Sequence, residues 1–260
     1  MTCKNCNTTL NAECDYCYKC GGKVIRKRLT LRNLFEYFTA TFFNYDNTFF
    51  QTFITLFKKP EAVIGGYING VRKKYVNVIS FFALALTITG LEWFFLNTYF
   101  PNVVDISNLY LGNGNHFLAN STYKLVQEHS SLLMMLFVPV YALMSRLVFF
   151  NRKEYNYTEH LVIFMYILSQ LAIISTALNI TGAFLGISLG KLAYINLPFQ
   201  VIFSAYCLRR LYNLSLIGII LRTLWFFIVF IVIYILVILV FAGILILLKG
   251  PEFFKDIIAS

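Results

Sequence analysis

Charge is what this chain has least of. Only 13% of its 260 residues are Asp, Glu, Lys or Arg, against roughly 25% in a soluble domain. That shortage excludes an ordinary water-facing surface and points to a bilayer as the main solvent. Acids are the scarcer sign, 12 against 22 Lys and Arg. No nucleotide-binding glycine loop, nucleophile elbow or His-Glu-x-x-His helix is present. The chain therefore reads as a non-enzyme. No internal repeat is visible, so the inverted halves of many secondary transporters are missing too.

What is abundant is apolar and aromatic. Hydrophobic residues make up 58% of the chain, with 27 Phe and 17 Tyr. Phe suits acyl chains and Tyr suits the headgroup boundary. Five stretches are near the ~20 residues a spanning helix needs: 78–100, 131–150, 161–182, 190–208 and 219–248. The fourth is the weakest, since it holds Lys191, Asn196, Pro198 and Gln200. The expected fold is an all-α membrane protein with about five transmembrane helices over 78–260.

The formal net charge of +10 fits an anionic membrane surface or nucleic acid. Its distribution decides between them. On the five-span reading, 18 of the 22 basic residues fall on one side. Positive residues favour the cytoplasm, so the N-terminus is expected inside and the C-terminus outside. This asymmetry explains the charge without nucleic acid.

Residues 29–77 are too apolar for a soluble linker and too interrupted to span. Leu31, Leu34, Phe35, Phe38 and Phe42 recur at helical spacing, as do Phe49, Phe50, Phe53, Ile54 and Phe57. Asp46 or Asn47 suits a cap for the second run. Pro60 suits the first turn of a third helix through EAVIGGYINGVRKKY. These runs are expected to lie in the inner interface or to pack on the bundle.

Residues 1–22 are different: polar, with five cysteines. No signal peptide precedes them, so they are expected to stay in a reducing compartment, where clustered thiols read as metal ligands. Cys3-x2-Cys6 and Cys17-x2-Cys20 form two hooks, and four thiolates in a tetrahedron are the usual structural Zn2+ site. Gly21 after Cys20 permits a positive φ that aims N–H groups at sulfur, and Asn7 after Cys6 does so less easily. Cys14 offers an alternative hook with Cys17. A closed site leaves no position for catalysis. Cys207, alone in an apolar run, is expected to be a buried thiol.

Three further groups draw notice. Arg72, Lys73, Lys74 and Tyr75 should lie near the inner surface, where they could grip a lipid headgroup or phosphate. Glu159 and His160 should lie at the same level, as metal ligands, a proton relay or a lipid-modifying pair. Snorkelling and local neutralisation are the plainer explanation of both groups, since ionisable residues at an interface cost far less than at the bilayer centre. Glu92 and Lys191 should meet in the outer third of the core, since a carboxylate in lipid needs a partner. Gln170, Asn179 and Gln200 could extend that seam. In the outward loop 101–130, His116 and His129 flank Tyr123 and carry no evident chemistry.

Taken together, the Cys-x2-Cys … Cys-x2-Cys-Gly head, KKPEAVIGGYINGVRKKY before the first span and YNYTEH opening a later one resemble the bacterial membrane proteins of domain-of-unknown-function family 3667. Gly70, Arg72 and Tyr75 stand in family-like places. Asn77 precedes Val78, where many members have Pro, and Cys14 is extra. The resemblance implies a multi-span bacterial inner-membrane protein with a zinc-ribbon-like head, and it transfers no activity. Two roles fit the residues. One is a non-enzymatic adaptor or sensor whose head contacts a cytoplasmic protein partner. The other is an oligomeric transporter or pore, built from a homo-oligomer around Glu92 and Lys191 and suited to serve as an accessory of a defence system.

Overall fold

The computed structural model describes residues 1–11, 13–22, 24, 30, 48–104 and 124–249. The chain divides into two compact units, Met1–Asn47 and Thr48–Ser260. The described residues are mostly helical, with one isolated antiparallel bridge, Thr2 to Thr9. The stripe Leu31 to Phe42, the proposed caps Asp46 and Asn47, and His116 and Tyr123 lie outside the described residues.

The first unit contains the cysteine head, treated with the site below. The second begins with helix α1 over residues 48–58. Pro60 then leads into a π-helical turn, Glu61–Gly65, and a short α-turn, Gly66–Ile68. Five long helices follow: α2 (Val78–Tyr99), α3 (Ser130–Val148), α4 (Tyr157–Phe184), α5 (Leu189–Leu211) and α6 (Leu216–Lys249). Asn77 caps α2 by accepting from the Ile79 N–H at 3.0 Å.

Two expectations from the sequence are corrected here. The third amphipathic helix stops at Ile68 rather than running to Tyr75. Gly70, at φ +95°, takes a conformation that L side chains avoid, and it turns the chain back towards α2. In α1 the buried side is Thr52 and Leu56, with Phe49 and Phe53 half-buried, whereas Phe50 and Ile54 point outward and Phe57 packs its ring on Phe203 at 5.4 Å between ring centres. The helix is apolar on both sides because one side packs on protein and the other is left to lipid.

Residues 48–77 share one core with the bundle. Leu56, Val63 and Ile64 cluster with Phe81, Tyr166, Phe203 and Cys207. The isolated thiol is thus fully buried, as expected. Buried polar atoms fasten α1. The Thr52 hydroxyl donates to the Thr48 carbonyl at 2.7 Å and accepts from the Val76 N–H at 2.9 Å. Gln170 Nε2 donates to the Phe53 carbonyl at 3.1 Å. In a dry interior such bonds are nearly obligatory for the groups that make them.

Among the described residues, four helices are long and apolar enough to cross a membrane: α2, α3, α4 and α6, the last over Leu216–Leu236. This makes the chain a membrane protein with four candidate spans by composition, one fewer than the sequence reading. The missing one is α5, diluted by Lys191, Asn196, Gln200, Arg209 and Arg210. Its packing is nevertheless that of a full traverse. At one end Tyr212, just beyond α5, bonds His160, three residues into α4. At the other, Gly182 near the end of α4 lies against Leu192, so close that a Cβ there would fall 2.4 Å from Leu192 Cδ1. Helix α5 therefore retraces the length of α4 in 23 residues, about 34 Å at 1.5 Å per residue.

The ends of the bundle differ in charge. Lys58, Lys59, Arg72 to Lys74, Arg146, Arg152, Lys153, Arg209, Arg210 and Arg222 belong to the end where α2, α4 and α6 begin. The opposite end, where Leu96, Val103, Val104, Ala183, Leu189 and Leu192 form a small core of their own, has Lys191 beside it.

Candidate functional site

In the head, Cys3, Cys6, Cys17 and Cys20 bring their sulfurs within 4.8 Å of one another. Two pairs, Cys3–Cys20 and Cys6–Cys17, are 3.6 Å apart. A tetrahedron with metal–sulfur bonds of ~2.3 Å has edges of about 3.8 Å, so the four sulfurs fit one ion. Cys14 is not in the group, which separates the two hooks that spacing alone left open.

The hooks are copies of one turn. The Asn7 N–H donates to the Cys3 carbonyl at 2.9 Å, and the Gly21 N–H to the Cys17 carbonyl at 2.8 Å. The Cys3 N–H donates to the Thr8 carbonyl, and the Cys17 N–H to the Gly22 carbonyl, both at 2.9 Å. Asn7 and Gly21 sit at φ +55° and +69°, the positive values expected after each second cysteine. Backbone amides then face sulfur. The Thr8 hydroxyl and amide pull the Cys6 thiol down to about 6. Cys17 accepts from the Cys20 and Lys19 amides, yet burial and the crowding of the Cys6 and Cys20 sulfurs push it up to about 11. A cation would relieve that crowding, because the sulfurs repel one another only when nothing positive lies between them.

The second unit holds no comparable group of His, Cys, Asp and Glu among its described residues. Arg72, Lys73 and Lys74 are exposed in the stretch between Gly70 and Tyr75. The Arg72 guanidinium lies 4.0 Å from the Tyr67 ring centre, and Lys74 Nζ lies 5.4 Å from that of Tyr75. Tyr75 itself is buried in the core, so it supports the basic stretch from below.

Glu159 and His160 do not act as a pair. Glu159 closes a capping box: the Asn156 side chain accepts from the Glu159 N–H, and the Glu159 carboxylate accepts from the Asn156 N–H at 2.6 Å. Such a box starts a helix. His160 is fully buried, and its Nε2 lies 3.1 Å from the Tyr212 hydroxyl. Phe149 stacks on Tyr212 at 4.1 Å between ring centres.

Glu92 and Lys191, expected to pair, do not. Thr176 donates to one oxygen of Glu92 and Asn179 Nδ2 to the other, at 2.7 Å for the latter. Asn196 Nδ2 in turn donates to Asn179 Oδ1 at 3.2 Å. Lys191 is exposed at the start of α5. Helices α2 and α4 run parallel, and their rotation puts two donors against the carboxylate, so no cation is required.

Sequence reasoning missed a different ion pair. Arg210, at the end of α5, binds both carboxylate oxygens of Glu61 in the π-turn, Nε to Oε2 at 3.1 Å. The bond from Arg210 holds the Glu61 carboxyl below its ordinary value of 4.5. A depressed carboxyl contributes stability above its unfolded value and loses it as pH falls through the folded one. Glu61→Gln is therefore expected to melt below wild type at neutral pH. The difference should close as the pH falls below about 4.5. Parallel melting curves at both pH values would show the pair to be inert, as many exposed pairs are.

The comparisons with known proteins bear on this same region. Residues 46–90 match the model of a protein family of unknown function, DUF3667. The chain carries the DUF3667 segment. No curated protein and no solved structure matches it. Structurally, the DUF3667 segment is α1, the Glu61–Ile68 turns, the basic stretch and the first half of α2. The matched residues include Glu61, Gly70, Arg72 and Tyr75. Two partners anchor the segment from α4. Tyr166 donates to the Val76 carbonyl at 2.8 Å and packs its ring against Tyr67 and Phe81, while Gln170 reaches Phe53.

Proposed function

We infer that this is a non-enzymatic adaptor or sensor of the bacterial inner membrane, with its head on the cytoplasmic side and a structural Zn2+ held by Cys3, Cys6, Cys17 and Cys20. The observation that carries this reading is the closed set of four thiolates on a double turn. Such a site folds a small surface and leaves no open coordination position for chemistry. That surface carries Tyr16 and Tyr18 at 61% and 74% exposure, on either side of buried Cys17. Exposed aromatics on a rigid knob are what a protein partner uses as anchors.

The basic end of the bundle supports a cytoplasmic placement of that end. With α5 counted as a traverse, the five long helices bring the C-terminus to the outside. The exposed Arg72, Lys73 and Lys74 then meet anionic headgroups. The geometry favours the adaptor over a transporter or pore, because Glu92 has donors on both oxygens and serves as a tether between α2 and α4.

The test is a pull-down from native membranes with three chains: intact, lacking residues 1–22, and Tyr16→Ser/Tyr18→Ser. A cytoplasmic protein should be recovered with the intact chain and lost with both variants, while the double variant keeps its metal. Identical partner lists for all three would count heavily against this role.

A further inference from the structure

A groove of about 510 Å³ opens between α3, α4, α5 and α6. Ligand clefts commonly run from about 300 to 1,000 Å³. Its walls are apolar, chiefly Phe164, Leu168, Val201, Phe226 and Phe230. It follows α5 from Leu208 to Leu197 and α6 from Ile219 to Phe230. Each path is about 16 Å at 1.5 Å per residue, or one leaflet of a hydrocarbon core of about 30 Å. The groove starts at the basic end, where the α5–α6 turn brings the two helices together, and runs towards the middle of the bundle.

Arg222 lines the groove one turn inward from that start. Its guanidinium lies 4.6 Å from the Phe149 ring centre, and Nη1 donates to the Val148 carbonyl at 2.9 Å. No ion pair joins Arg222 to a described residue. A half-buried guanidinium on a spanning helix calls for an anion or a route to water. Arginine has five N–H donors, and the Val148 carbonyl takes one of them.

We propose that this groove holds one acyl chain of an anionic glycerophospholipid from the inner leaflet, with its phosphate on Arg222. The depth of the groove, its apolar walls and the single cation at its start select this occupant. A lipid with no phosphate would leave Arg222 without a counter-charge, a zwitterionic one brings its own ammonium to compete for that phosphate, and a free phosphate would leave the groove unfilled. The site is distinct from the basic stretch Arg72 to Lys74, which is exposed and does not line this groove. It does not depend on the role of the head.

The full chain is reconstituted in phosphatidylethanolamine vesicles doped with a phosphatidylglycerol that carries a photoreactive group in its acyl chain. Light should place adducts on Leu168, Val201 or Phe227, and adducts confined to outward residues such as Tyr194 and Leu224 would overturn the proposal. In detergent, wild type should retain phosphatidylglycerol on native mass spectrometry. Arg222→Gln should lower that retention about tenfold, as expected when a charge-assisted phosphate contact is replaced. Ala205→Phe, which fills the groove, should abolish retention of either lipid. Retention unchanged in both variants, or a second copy of the chain cross-linked through the groove, would refute it.

Discussion

Removing the metal proposed for the head is expected to unfold residues 1–22 and leave the helical bundle as it was. Among the described residues of so short a segment, Cys3, Leu10 and Cys17 are the buried apolar ones, with Cys6 and Val24 beside them. That core cannot offset the conformational entropy of ordering the chain. Structural zinc sites supply about 10–16 kcal/mol, far more than the packing they join. Cys3→Ser or Cys17→Ser should therefore reduce bound zinc from one per chain to near zero, and a chelator should do the same to wild type. Cys14→Ser should keep its metal, because Cys14 is outside the cluster. Elemental analysis of the purified chain reads all of these outcomes. Loss of metal with Cys14→Ser, or full metal with Cys17→Ser, would exchange the hooks. Helical circular dichroism should not change in any variant, since the described long helices all belong to the other unit, Thr48–Ser260.

The second large effect is expected at Tyr166. Its ring is fully buried, its hydroxyl satisfies the Val76 carbonyl, and Tyr67 and Phe81 pack on its faces. Tyr166→Phe keeps the ring and strands the carbonyl, which costs about 1–3 kcal/mol. Tyr166→Ala also opens a cavity, with a loss of about 3–5 kcal/mol. The graded loss should appear as two successive drops in thermal stability in detergent. Protease cleavage should also increase near Gly70, since Val76 holds the end of the basic stretch to the bundle. If Phe and Ala variants melt together, the hydrogen bond and not the ring carries the anchoring. If both match wild type, the DUF3667 segment is held by Thr52 and Gln170 instead.

Several features are legible in the amino-acid order. The paired-cysteine pattern is, because a hook is made within four residues and announces itself by spacing, although the choice between Cys14 and Cys20 as partner of Cys17 needed the structure. The positive φ at Gly21 is expected for the same reason, and Asn7 adopts its counterpart. The long helices fall within a few residues of their expected ends, since hydropathy over a span is a sum that does not depend on neighbours. Helix α5 is visible only as a weak span. Its Asn196 is buried and donates to Asn179 of another helix, so a side chain that lowers the hydropathy of its own segment faces protein rather than lipid.

The pairing of polar residues is not legible. Depth and charge alone match Glu92 to Lys191, whereas the fold gives it Thr176 and Asn179. Glu159 and His160 are adjacent in sequence, yet one caps a helix and the other is buried under Tyr212. Glu61 and Arg210 are 149 residues apart, beyond the reach of any local pattern. Bulk hydropathy, thiol spacing and the one-sided placement of basic residues are properties of short stretches, and the amino-acid order alone established them. Which donor meets which acceptor depends on the rotation and depth of helices far apart in the chain, and only their packing settled it.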